Sequence, residues 1–155
     1  MPNSKNKSRS ALVAELIQSM MAIGRSGHSG DGGLILHKHG FSMPQLPMLF
    51  HINASENGSS VKEIAARLNV TSSAATQLIQ TLLRRGVLKK TVNSSDRRAL
   101  YINFTPAGKK EFAAFRKDML SRMEKSFSVV PDAELEEMNR VFQKILTYIK
   151  PSNTH

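Results

Sequence analysis

The chain has 155 residues, one domain's length and enough to bury a core. It carries 22 Lys and Arg against 12 Asp and Glu, a formal net charge of +10, with 40% hydrophobic residues and no cysteine. That excludes a disulfide framework, a thiolate metal site, a thiol redox sensor and a disordered basic tail. No apolar run is long enough to span a bilayer, and the basic start is interrupted at Glu15 and Gln18, so no secretory signal is expected. The expectation is a soluble, cytoplasmic protein with no cofactor.

In chain order, residues 1–9 carry Lys5, Lys7 and Arg9 and read as a basic, flexible start. Residues 10–23 read as an amphipathic helix: Leu12, Val13, Leu16, Ile17, Met20 and Met21 recur at helical spacing behind Ser10 as N-cap. Residues 24–40 hold six of the nine glycines and read as a mobile connector. Its GRSGHSGDGG stretch lacks the GK[ST] ending of a phosphate-binding loop. Ser42 and Gln45 resemble a capping box before Leu46, Leu49, Phe50 and Ile52. Pro44 suits a first turn, whereas Pro47 would cost a backbone bond unless the helix starts late or bends.

Ser60 and Glu63 form a second capping box, followed by Val61, Ile64, Ala65 and Leu68 on one face. Asn69-Val70 breaks the pattern. Thr71 or Ser72 then caps a helix that presents Ala75, Leu78, Ile79 and Leu82 and stops at Gly86. From Val87 the period falls to two, giving strands at 87–92 and 100–104, with Leu100, Ile102 and Phe104 on one face. The polar loop 93–98 joins them. Thr105 and Pro106 open a long helix presenting Phe112, Phe115, Met119, Met123 and Phe127. Pro131 opens a last helix, with Asp132 and Glu134 in its first turn, whose stripe is Leu135, Met138, Val141, Phe142, Ile145, Leu146 and Ile149. The expected order is α-α-α-α-β-β-α-α.

Charge concentrates in the middle: residues 59–110 hold ten cations against Glu63 and Asp96. Such a cluster suits a polyanion, because each phosphate neutralised releases counterions. Within that window, two short capped helices lead at once into a hairpin with a basic tip, the order of a winged helix-turn-helix. Opposite its apolar stripe the second helix offers Ser72, Ser73, Ala74, Thr76, Gln77, Gln80, Thr81 and Arg84. Small and amide side chains let a backbone approach base edges and pair with them. At the tip, Arg97 and Arg98 suit a narrow minor groove, and Asp96 suits orienting a neighbouring arginine.

These residues carry a resemblance to the multiple-antibiotic-resistance regulator (MarR) family. They are Ser60 to Ala65, Leu78-Ile79 to Leu82, Arg85-Gly86-Val87-Leu88, and Asp96-Arg97-Arg98 followed by Leu100 to Gly108. The family's D-x-R is matched by Asp96 and Arg98, and its T-x-x-G by Thr105 and Gly108. The match is good over roughly residues 42–112. It implies a mostly α, winged helix-turn-helix homodimer that binds duplex DNA and represses or modulates transcription. The domain would span 10–155, with the DNA-binding lobe at about 42–105 and dimerisation helices at about 10–23 and 106–150. Carried over by position, Ser72, Ser73, Ala74, Thr76 and Gln77 face bases, Thr71, Thr81 and Arg84 face phosphates, and Arg98 the minor groove. Many relatives have a cation where this chain has Gln77, which puts the base contacts, more than the fold, in question.

The dimer interface is expected to use Leu12, Leu16, Ile17, Met138, Phe142, Ile145, Leu146 and Ile149, since stripes of this kind are hard to bury in so small a chain. The family also implies a small-molecule effector, which nothing here identifies. His37, His39 and His51 read as ordinary histidines rather than metal ligands. No catalytic constellation has a recognisable spacing, so no enzyme is expected. The rival reading is a winged-helix module that binds protein or RNA without an operator; aromatic stacking groups for RNA are scarce, with only Tyr101 and Phe104 in the window.

Overall fold

A computed structural model describes residues 8–29, 31–92 and 100–149, with the side chains of 24–32 left aside. The helices are α1 (Arg9–Ser29), α2 (Asp31–Lys38), α3 (Leu46–Ala54), α4 (Val61–Leu68), α5 (Ser72–Arg84), α6 (Pro106–Phe127) and α7 (Asp132–Ile149). The strands are β1 (Ser59–Ser60), β2 (Leu88–Val92) and β3 (Leu100–Phe104). The architecture is the mostly α winged helix read from the sequence. The chain divides into two compact units after Met119.

Several local expectations change. The helix at 10–23 extends in both directions, and its cap is Ser8 rather than Ser10: Ala11 N–H donates to Ser8 Oγ at 3.3 Å. The glycine-rich stretch is helical rather than a connector. α1 runs on through Gly24 and Gly27, since extending a nucleated helix adds a bond for each residue fixed. α2 then places Ile35 and Leu36 against the core, a tertiary gain that opposes glycine's cost of about 1 kcal/mol per helical position. Pro47 is accommodated by a late start: Met43–Gln45 is a separate 3-10 turn and α3 begins at Leu46, with proline in its first turn. The Ser42–Gln45 pair forms the half in which Ser42 N–H donates to Gln45 Oε1, at 2.9 Å.

A third strand appears where only a turn and a cap were expected. Ser59 and Ser60 pair with Ile102 and Tyr101, so β3 is the centre of an antiparallel sheet ordered β1-β3-β2. Two residues are too few for an alternation to show. The β2–β3 register sets Leu88 opposite Phe104, Lys90 opposite Ile102 and Val92 opposite Leu100. Ile102 is buried and Phe104 half-buried, while Leu100 is exposed beside Val92 at the outer end of the hairpin.

One core joins these elements. Met48, Leu49, Ile64, Ile79, Leu82 and Ile102 pack with Phe112 and Phe115 of α6. Phe112 is fully buried, stacks on Phe104 with ring centres 5.3 Å apart and meets Phe50 edge-on at 5.2 Å. Such pairs add about 1 kcal/mol each beyond their area. Of the expected α6 stripe, Met119 packs on this core, whereas Met123 is exposed. In α1 every described side chain is exposed, and in α7 only Leu135 is half-buried.

Candidate nucleic-acid interface

The helix-turn-helix is α4 and α5 with the turn at 69–71. Ser60 Oγ accepts from Glu63 N–H at 3.2 Å, and Glu63 Oε2 accepts from Ser60 N–H at 2.7 Å, closing the expected capping box. The hydrogen bond from Ser60 N–H, then that from its hydroxyl, holds the Glu63 carboxyl below its ordinary range. Asn69 ends α4 in a left-handed conformation (φ 53°), where a short polar side chain is tolerated. Thr71, rather than Ser72, caps α5: Ala74 N–H donates to its Oγ1 at 3.2 Å. At the other end Gly86 (φ 70°) lets Val87 N–H reach the Leu82 carbonyl at 3.0 Å, so α5 stops where the sequence indicates.

α5 buries Ala75, Ile79 and Leu82 and turns its other side outward. Thr71, Ser72, Ser73, Gln77, Gln80, Thr81 and Arg84 are exposed, and Ala74 and Thr76 half-buried. Thr76 donates its hydroxyl proton to the Ser72 carbonyl at 2.7 Å, which leaves its methyl and its lone pairs for a ligand. No acid occurs in α5, and Lys62, Arg67, Lys89 and Lys90 are exposed on α4 and β2. A small, polar, acid-free helix face with free donors and acceptors, flanked by cations, is suited to a base-edge groove bordered by phosphates.

The hairpin carries its own brace. Asn103 Nδ2 donates to Thr91 Oγ1 at 2.6 Å and to the Asn57 carbonyl at 3.3 Å, tying the β2–β3 shaft to the turn before β1. Asp96, Arg97 and Arg98 lie outside the described residues. At its base, Thr105 Oγ1 donates to the Gly86 carbonyl at 2.6 Å and accepts from Gly108 N–H at 2.9 Å. A Cβ on Gly108 would stand 2.0 Å from the Val87 carbonyl oxygen, so only glycine fits there. The T-x-x-G pattern is thus a helix cap combined with a backbone contact.

The three histidines have separate surroundings. His37 is exposed. His39 Nε2 lies 2.9 Å from Asp118 Oδ2, which also accepts from Lys38 Nζ at 2.7 Å. Those two bonds, lysine's the larger, lower the Asp118 pKa. His51 Nε2 is 3.1 Å from Ser59 Oγ. Sequence reasoning missed Asp118, Glu111 and the reach of Arg85 to Glu111 and to the end of α2. Their partners lie from 26 to 80 residues away, and no local spacing encodes that.

The described elements define the class: a winged helix-turn-helix protein. Residues 39–99 match the model of the MarR family. Solved structures agree at the level of fold. A MarR family protein from Bacillus stearothermophilus superposes with a TM-score of 0.78 at 17% identity, covering 92% of this chain and 99% of that one. The transcriptional regulator BldR from Sulfolobus solfataricus gives 0.73 at 22% identity, covering 92% and 100%. CouR from Rhodococcus jostii RHA1, solved bound to p-coumaroyl-CoA, gives 0.71 at 19% identity, covering 97% and 100%. No curated protein matches by sequence. Residues 39–99 thus match the MarR family model, and the described elements have the fold of the solved MarR-type structures. No helix among the described residues is long and apolar enough to cross a membrane.

Proposed function

We propose that this chain is a sequence-specific, duplex-DNA-binding repressor that acts as a homodimer and occludes a promoter. The observation that carries the reading is the outward face of α5: small and amide side chains, no acid, and a cation at its end in Arg84. Ser72, Ser73, Ala74, Thr76 and Gln77 read base edges, Thr71, Thr81 and Arg84 hold phosphates, and Arg98 enters the minor groove, with Arg97 beside it and Asp96 orienting the pair. The half-exposed stripes of α1 (Leu12, Leu16, Ile17) and α7 (Met138, Phe142, Ile145, Leu146, Ile149) support a second copy as partner, because water-facing rows of this size are otherwise unfavourable. A small-molecule effector relieves repression by changing the spacing of the two recognition helices. Support for an organic effector comes from CouR, a protein of this fold bound to p-coumaroyl-CoA.

The test is selection from a random pool of duplex DNA. A pseudo-palindrome with half-sites about one helical turn apart is the expected result. On the selected duplex, Arg98→Ala weakens binding by about 1–3 kcal/mol. A pool that returns no motif while affinity falls steeply with salt overturns the operator reading and leaves a winged-helix module for RNA or protein.

A further inference from the structure

Arg84 and Arg85 are sequence neighbours with different surroundings. Both are exposed, Arg84 at the end of the recognition helix, but the Arg85 side chain reaches across to other elements. Arg85 Nη2 donates to the His39 carbonyl at 3.0 Å, and Nη1 donates to the Gly40 carbonyl. Nη2 also pairs with Glu111 Oε1 of α6 at 2.6 Å, and the guanidinium carbon stands 5.4 Å from the Phe41 ring centre. The two carbonyls belong to the turn that ends α2, where the helix dipole favours a cation. Gly40 makes that turn possible: its φ is +60°, and a Cβ there would lie 2.9 Å from Arg85 Nη2. The same turn is gripped a second time by α6, through Lys38 and His39 to Asp118. Glu111 and Asp118 stand two helical turns apart, so they share one side of α6.

We infer that Arg85 is a positioning residue for DNA binding: it sets the attitude of α5 against α2 and α6 without itself touching DNA. The inference rests on the DNA-binding reading above. The buried contacts of α5 are Ala75, Ile79 and Leu82, and apolar contacts of this kind are non-directional. A planar fork satisfied by two carbonyls, a carboxylate and a ring face adds direction at the C-terminal end. The base-reading residues begin at Ser72, roughly 20 Å along the helix from Arg85, so a tilt of about 5° at the clamp moves Ser72 by about 1.7 Å. Base readout does not tolerate such a displacement. Lysine, a point charge without the fork, cannot hold the same acceptors together.

The chain has no cysteine, so Gln80→Cys and Ala113→Cys, on exposed positions of α5 and α6, accept a spin-label pair without background. Pulsed dipolar spectroscopy on the DNA-free protein then reads the spacing of the two helices. With Arg85 intact a single narrow distance is expected; with Arg85→Lys the distribution broadens, while its mean moves by only about 0.7 Å because Gln80 lies about 7.5 Å from the clamp. The melting temperature stays within about 3 °C, because few buried contacts are lost. Affinity for the selected duplex falls about tenfold, while binding to an unrelated duplex is unchanged. Glu111→Gln removes the charge of one partner only and gives the same effects at smaller size, which covers the case in which Arg85→Lys does not fold. An unchanged distance distribution, or an unchanged affinity for the selected duplex, overturns the inference. Equal losses on both duplexes with a matching fall in melting temperature also overturn it, by assigning Arg85 to stability alone. If selection returns no motif but the distance still responds, the DNA reading fails and the role in DNA binding fails with it, leaving Arg85 as a clamp on α5.

Discussion

Between Phe41 and Phe115 the apolar side chains close on one another, and fourteen of them are buried in a single cluster. In α1 and α7 the same residue types recur at the same helical spacing, yet Leu16, Ile17, Ile145 and Leu146 each keep between 42% and 49% of their surface. The difference lies in what each helix meets. α4 and α5 have a sheet, α3 and α6 to pack against, so their stripes are covered within the unit. The stripes of α1 and α7 face no such cover, and periodicity alone does not separate the two situations. An amphipathic stripe shows that a helix needs a partner surface and leaves open whether the chain supplies it.

The comparison is broken most severely by Phe112→Ala. It removes the ring at the centre of the aromatic group, and a loss of about 3–5 kcal/mol is expected by chemical denaturation. That is much of the margin a domain has, so the lobe should melt far below the parent protein. Gly108→Ala follows, at about 3 kcal/mol, because its methyl meets the Val87 carbonyl and α6 must move off the base of the hairpin.

Ser60→Ala costs about 1 kcal/mol through the lost cap of α4. It also sharpens a pH effect. Glu63 and Asp118 are both held below the ordinary carboxylate range in the folded chain. A depressed folded pKa contributes stability above the unfolded value, which is lost as pH falls through the folded one. The acid limb below roughly pH 4 should therefore be shallower in Ser60→Ala and in Asp118→Asn than in the parent, as read by denaturation across that range. The smallest cost to folding is expected for Leu146→Arg. Nothing is buried around it, so at high dilution the change stays within about 0.5 kcal/mol. Sedimentation should nevertheless move from dimer to monomer; dimers that persist would assign the α7 stripe to other contacts.

Much of the candidate interface was legible because its signals are local. The capping box at Ser60–Glu63, the left-handed stop at Gly86, the cap at Thr71 and the period-two run at 100–104 each occupy a few consecutive residues, and each was found where its spacing put it. The glycine-rich stretch 24–40 was misread because propensity opposed a helix there, whereas α1 simply propagates to Ser29 and the packing of Ile35 and Leu36 on a distant core favours α2. The strand at Ser59–Ser60 exists only because β3 passes beside it.

The succession of α4, α5 and the β2–β3 hairpin, the caps that bound α4 and α5, the polar outward face of α5 and the basic middle of the chain were determined by the sequence alone, since hydrophobic period, capping chemistry and charge act within one or two helical turns. The tertiary structure decided the rest: the clamp of Arg85 on the end of α2, the grip of Asp118 on Lys38 and His39, and the approach of Gly108 to Val87. These join residues 21 to 80 positions apart, and directed contacts over such separations are set by how the whole core closes.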